Sequence, residues 1–92
     1  MPTWHLYLIE CADGSYYAGI TTDVARRFAQ HLAGTGARYT RSHRPLRLLG
    51  SVVCDSRSAA LKAEIALKKL PKPKKMDGLI KLAAQSSELT TA

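Results

Sequence analysis

The sequence predicts an α+β fold, a small α/β sandwich with a central three-stranded antiparallel sheet flanked by helices in the order β-β-α-(short α)-β-α-α. Three observations carry this expectation. A run of β-formers from Trp4 to Cys11 is followed by the turn residues Ala12-Asp13-Gly14-Ser15 and a second strand-like run, Tyr16 to Ile20, the pattern of a hairpin. A helical periodicity follows directly. A third β-rich stretch, Leu46 to Cys54, then leads into a further helical pattern. Ninety-two residues suffice for one domain, expected over 1–82, with a flexible C-terminal tail over 83–92.

Each element has local reasons. Thr21 or Thr22 can cap the first helix, with Asp23 in its first turn at the positive end of the dipole. That helix is expected to run to about Ala33, with Val24, Phe28 and Leu32 as its core stripe. Arg27 and His31 then lie one turn apart on the neighbouring face. Gly34-Thr35-Gly36 ends the helix, and the basic, aromatic segment "ARYTRSHRP" admits a short helix or turn before Pro45 forces extended backbone. Asp55, Ser56 and Ser58 are cap candidates for a helix from about Arg57 to Leu70. Beyond it, "KLPKPKKMDGLIKL" mixes prolines and lysines with a short helical pattern, and "AAQSSELTTA" is expected to fray.

Composition narrows the class. Hydrophobic residues at 46% and charged ones at 23% fit a globular chain rather than a disordered one. Fourteen Lys and Arg against seven Asp and Glu give a net charge of +7, which favours a polyanionic partner, nucleic acid above all. Cys11 and Cys54 sit in strand-like runs without metal or redox spacing and read as buried free thiols. No basic segment precedes the short apolar run that ends at Glu10, so neither a signal peptide nor a membrane span is read, and a cytoplasmic location is expected.

The residues that carry chemistry form an ordered set. Tyr7 lies in the first strand, Tyr17-Ala18-Gly19 in the second, Arg26-Arg27-Phe28 and His31 on the next helix, and Glu64 on a later one. In order and spacing the set resembles the GIY-YIG nuclease domain, and more closely its small stand-alone YhbQ-like (UPF0213) members, from about Trp4 to Leu79. The first tripeptide is Leu6-Tyr7-Leu8, and the second has Ala18 in place of isoleucine. Many family nucleases carry an asparagine after the metal glutamate, and this chain contains no asparagine.

The resemblance implies an endonuclease that hydrolyses phosphodiester bonds with Mg²⁺ or another divalent cation such as Mn²⁺. The resemblance favours DNA over RNA as its substrate and points to structure-selective cutting in DNA repair or processing. In that role Tyr7 would be the general base, Tyr17 would hydrogen-bond beside it, and Arg27 would clamp the scissile phosphate. His31 would orient the tyrosine or relay its proton, Glu64 would bind the metal, and Gly19 would be a structural glycine. A free phenol has a pKa of about 10, so Tyr7 needs help from its neighbours to act at neutral pH. The competing reading is a non-catalytic nucleic-acid-binding module of the same fold. A protein-interaction adaptor is a third.

Plainer roles exist for each residue. Tyr7 and Tyr17 suit a sheet as ordinary strand aromatics, His31 borders an apolar stripe, and Glu64 has Lys68 at i+4 as an ion-pair partner. Outside the set, Arg38, Arg41, Arg44 and Arg47, interleaved with Tyr39 and His43, suit phosphate contacts and stacking on an unpaired base, or a solvated loop. Lys68, with Lys69, Lys72, Lys74 and Lys75, can extend the same positive footprint or serve only to keep the protein soluble. Tyr16, on the opposite face of its strand from Tyr17, is expected to pack in the core.

Overall fold

The computed structural model describes residues 2–90, with side chains described as far as residue 84. Its central strand explains the unbroken apolar run near the N-terminus. Strand β1 (Trp4–Cys11) pairs antiparallel with β2 (Tyr16–Thr21) on one side and β3 (Pro45–Cys54) on the other, giving the order β2-β1-β3. A strand covered on both faces must be apolar at odd and even positions alike. Leu6 and Leu8 accordingly meet Ala18, Val52, Leu67 and Leu79 on one face, while Tyr7, Ile9 and Cys11 meet Tyr17, Val24, Phe28, Tyr39 and Leu48 on the other. Helices α3 (Arg57–Lys69) and α4 (Lys72–Thr90) cover the first face. Helices α1 (Val24–Leu32) and α2 (Arg38–Ser42) cover the second. The α+β order expected from the sequence is the one observed.

The turn between β1 and β2 follows its chemistry. Asp13 Oδ1 accepts from the Ser15 amide at 3.0 Å and the Ser15 hydroxyl at 2.6 Å, and Gly14 takes a φ of 87°, which favours glycine. Helix α1 is capped by Asp23, whose carboxylate accepts from the Arg26 amide at 3.0 Å, rather than by Thr21 or Thr22. Thr21 stands one step back, its hydroxyl accepting from the Asp23 amide at 3.1 Å. The core stripe of α1 also differs from expectation. Leu32 is 56% exposed, and His31 faces inward and is fully buried.

Ser56 caps α3 by accepting from the Ala59 amide at 3.0 Å. Pro73 falls in the first turn of α4, where the helix has no amide bond to lose. Lys75 Nζ donates to the Leu67 and Lys68 carbonyls at 3.1 and 3.0 Å, satisfying the C-terminal end of α3 and tying α4 to it. Helical backbone continues to Thr90, so most of the 83–92 segment expected as a tail prolongs α4; after Gly78 the chain offers neither glycine nor proline to stop it. Residues 91 and 92 of that segment lie outside the described residues. Tyr16 packs against the Leu6 and Leu8 face, as its strand position implies. Both cysteines are free, Cys11 buried and Cys54 half-buried.

One cross-strand pair controls how β1 meets β2. Tyr7 lies opposite Gly19, and its ring crosses the bare backbone there. A Cβ at Gly19 would touch the phenol oxygen and stand 2.6 Å from Cζ. Gly19→Ala is therefore expected to cost about 1–3 kcal/mol through overpacking. In a Tyr7→Leu background the cost should shrink, because the obstructing ring is gone. Urea unfolding of the two single variants and the double variant checks this, and strictly additive losses would show that the ring is not the cause.

Candidate active site

Tyr7 reaches the second face of the sheet from its middle strand and is 2% exposed. A buried hydroxyl needs a partner, and here it is His31 on the last turn of α1, with Tyr7 Oη 2.8 Å from Nε2. The other ring nitrogen, Nδ1, lies 2.6 Å from Thr40 Oγ1 on α2. Thr40 in turn donates its hydroxyl hydrogen to the Ala37 carbonyl at 3.0 Å. With that hydrogen engaged, Thr40 can only accept from His31, so Nδ1 carries the imidazole proton and Nε2 is left to accept from Tyr7. Gly36 makes room for the ring, since a Cβ there would stand 2.5 Å from Nδ1.

Electrostatics keep both members of the pair neutral. Burial pushes the Tyr7 phenol up to about 12; a hydrogen bond and charge from Arg27 oppose this, while Tyr17 and the Glu64 carboxylate add to it. Burial, and then the Arg27 charge, push His31 below the usual histidine value. The same interactions show which side chains converge on the phenol. Arg27 approaches from α1, half-buried, with its Nη1 donating to Gln30 Oε1 at 3.0 Å. Glu64 approaches from α3, on the other layer, around the edge of β2. Its carboxylate pairs with Lys68 Nζ at 3.4 Å, and that ammonium lies 5.8 Å from the Tyr17 ring centre.

Tyr17 joins the group through ring contacts. Its ring centre is 6.4 Å from that of Tyr7 and 5.3 Å, edge-on, from that of His31. The expected hydrogen bond beside Tyr7 is made by His31 instead, because Tyr7 pairs with Gly19 and Tyr17 with Ile9, two residues apart along the strand. Tyr7, Tyr17, Arg27, His31 and Glu64 are thus brought together. Gly19 lies beneath them as the gap that Tyr7 fills.

The basic segment is placed differently. Tyr39 stacks on Tyr17 at 5.7 Å and on His43 at 3.9 Å, with the second pair within 5° of parallel. His43 also has Asp13 at 3.8 Å and the Tyr39 carbonyl at 3.0 Å. Arg38 is exposed; Arg41 and Arg44 border a separate depression of about 320 Å³ on the Thr40 side of His31. Arg47 pairs with Glu10 across the sheet at 2.6 Å. Sequence reasoning missed Thr40 and Gln30. Gln30 had a visible clue, its i+3 spacing from Arg27.

Among the described residues no three His, Cys, Asp or Glu side chains surround a common point. The donor offered beside Tyr7 is a single carboxylate, Glu64. That set suits Mg²⁺, which keeps several waters and takes one or two carboxylates, and does not suit an ion that needs a full protein cage.

The model of the GIY-YIG catalytic domain matches residues 3–77. The chain belongs to the GIY-YIG family. Within this nuclease family it is similar to the UPF0213 proteins. It is 61% identical over 79 residues to one from Cupriavidus pinatubonensis, covering 86% of this chain and 88% of that one. It is 49% identical over 71 residues to another from Halobacterium salinarum, covering 77% and 92%. Two solution structures are similar in fold. A UPF0213 protein from Bacillus halodurans is 40% identical, with 97% and 94% coverage and a TM-score of 0.52. A protein from E. faecalis is 38% identical, with 88% and 86% coverage and a TM-score of 0.62. The GIY-YIG match encloses Tyr7, Tyr17, Arg27, His31 and Glu64 and stops short of the 83–92 segment. No described helix is long and apolar enough to cross a membrane.

The buried pair has a pH signature. Above about pH 10 the unfolded chain releases the Tyr7 proton that the native state keeps up to about 12, so stability falls as pH rises through that window. Tyr7→Phe should lessen this fall. Below about pH 6.5 unfolded His31 takes up a proton that the native state resists, so stability falls on acidification, and His31→Gln should lessen that loss. Urea midpoints over pH 5 to 12 read both effects. Parallel curves for wild type and variants would contradict them.

Proposed function

We propose that this chain is a divalent-metal-dependent endonuclease that hydrolyses phosphodiester bonds in DNA. The observation that carries the reading is the 2.8 Å bond from the Tyr7 hydroxyl to His31 Nε2. It gives the phenol an exit for its own proton. As a water attacks phosphorus, Tyr7 Oη takes the water's proton while its original hydrogen passes to Nε2, so no free phenolate need form. The imidazolium that results keeps its Nδ1–H on Thr40, a bond already in place. Arg27 faces the non-bridging phosphate oxygens with a planar fork suited to them. Tyr17 excludes water from one side of the Tyr7 ring.

Glu64 is the residue that would hold the cation. When bound, Mg²⁺ or Mn²⁺ supplies Lewis-acid polarisation of the phosphate and neutralises the leaving oxygen. Arg38, Arg41, Arg44 and Lys68, with Tyr39 and His43 behind them, extend the positive field along which the substrate backbone is held. A cytoplasmic place of action, in DNA processing or repair, completes this reading.

Branched, nicked and single-stranded DNA, with matched RNA, incubated with the protein in Mg²⁺, Mn²⁺ or chelator, test it. Metal-dependent cleavage of DNA is expected. Tyr7→Phe should lower its rate by about 10²- to 10⁴-fold, the range for loss of a general base. Glu64→Ala should cut no better than that while still binding DNA. Salt-dependent binding with no metal-dependent product would instead assign the non-catalytic module, and equal cutting by the variants would contradict catalysis at this site.

A further inference from the structure

The outer edge of β2 offers more than the residues around Tyr7. As an edge strand it turns a row of backbone donors and acceptors away from β1. At its N-terminal end a groove of about 350 Å³ opens over that edge, lined by Tyr16, Tyr17, Ala18, Tyr39, Lys68 and Lys75. Its wall is mostly ring and methyl surface, and its rim carries two ammonium groups. At the C-terminal end of the same strand, a depression of about 270 Å³ holds Arg26 and Arg27 beside Trp4 and Thr21. Tyr17 belongs to both the groove and the ring cluster around Tyr7, and Arg27 to both the depression and the phenol's surroundings. The candidate reacting atoms therefore lie between the two.

We propose that the groove is a subsite for one unstacked nucleobase of the strand being cut, adjacent to the scissile phosphate. The proposal rests on the nuclease reading above and adds what that site selects. Ring and methyl walls match the planar apolar body of a base. Cations at the lip match the phosphates on either side of it.

The groove is also built in advance. Tyr39 is held by its stacking contacts with Tyr17 and His43, and Lys75 is fixed by the Leu67 and Lys68 carbonyls, so neither needs ordering when the ligand arrives. A base inside a stacked duplex cannot enter a groove walled on both sides. The substrate strand must therefore be unpaired, or become so, at one position beside the cut.

The test uses the full chain, in chelator at low salt, with oligonucleotides in which one 2-aminopurine moves a position at a time. Unstacking of the probe should set one position apart from its neighbours in fluorescence on binding. An abasic site at that position should weaken binding about ten-fold, and abasic sites elsewhere should not. Tyr39→Leu should erase both effects and Tyr39→Phe should keep them; if Tyr39→Leu does not fold, the wild-type scan decides alone. A uniform scan, or an unchanged one in folded Tyr39→Leu, overturns the subsite. Because the readout needs no turnover, absence of cleavage would contradict the nuclease reading separately.

Discussion

The hydroxyl of a tyrosine buried in the middle of a three-stranded sheet has to find a partner, and much of this molecule is arranged around that need. Tyr7 is almost entirely buried, and His31 meets its hydroxyl at 2.8 Å. For His31 to do so, α1 must turn an imidazole rather than an aliphatic side chain toward the sheet. Thr40 must come close on a separate short helix, and Gly19 and Gly36 must both lack a Cβ. The five-residue α2 buries no large apolar side chain completely. Its buried Thr40 is what completes the hydrogen-bond chain.

Two layers meet at this point because β2 is an edge. α1 and α2 lie over one face, α3 and α4 over the other, and only at an open edge can groups from both reach a common place. Arg27 comes from one layer and Glu64 from the other, each acting on the Tyr7 phenol. A positive and a negative group thus flank a neutral hydrogen-bonded pair. This arrangement suits a reaction in which a proton leaves water while a phosphate and a cation arrive.

Much of the architecture was legible in the chain because local chemistry and global need agree. Ala12 to Ser15 supply turn residues between two β-rich runs, and the runs at Trp4 and Leu46 are rich in β-formers. Helix α1 faces the core with His31 rather than Leu32 for a geometric reason. At about 100° per residue, Leu32 sits about 80° around the helix from Val24, whereas His31 sits about 20° from it on the other side. The i, i+4, i+8 stripe drifts off the core, and an i+7 histidine lies closer to its centre.

Other parts had no local signature. Thr40 is one hydroxyl in a basic segment, and nothing in the sequence around it shows that its partner lies nine residues earlier. Nothing in the spacing of Tyr39 and His43 shows that they stack on each other, or that Tyr39 also stacks on Tyr17. Arg47, at the start of the expected third strand, reads as a phosphate-contact candidate, yet Glu10 pairs with it across the sheet. In each case the deciding contact is long-range or depends on a neighbour's rotamer, which residue spacing does not encode.

The central claim is that His31 is neutral, protonated on Nδ1, and accepts the Tyr7 hydrogen at Nε2. Long-range ¹⁵N–¹H correlation spectra of the His31 ring, in ¹⁵N-labelled protein at neutral pH, test it directly. The account predicts a protonated Nδ1 and a bare Nε2 whose resonance moves in Tyr7→Phe, when its donor is lost. A ring protonated on Nε2, or on both nitrogens, would contradict it.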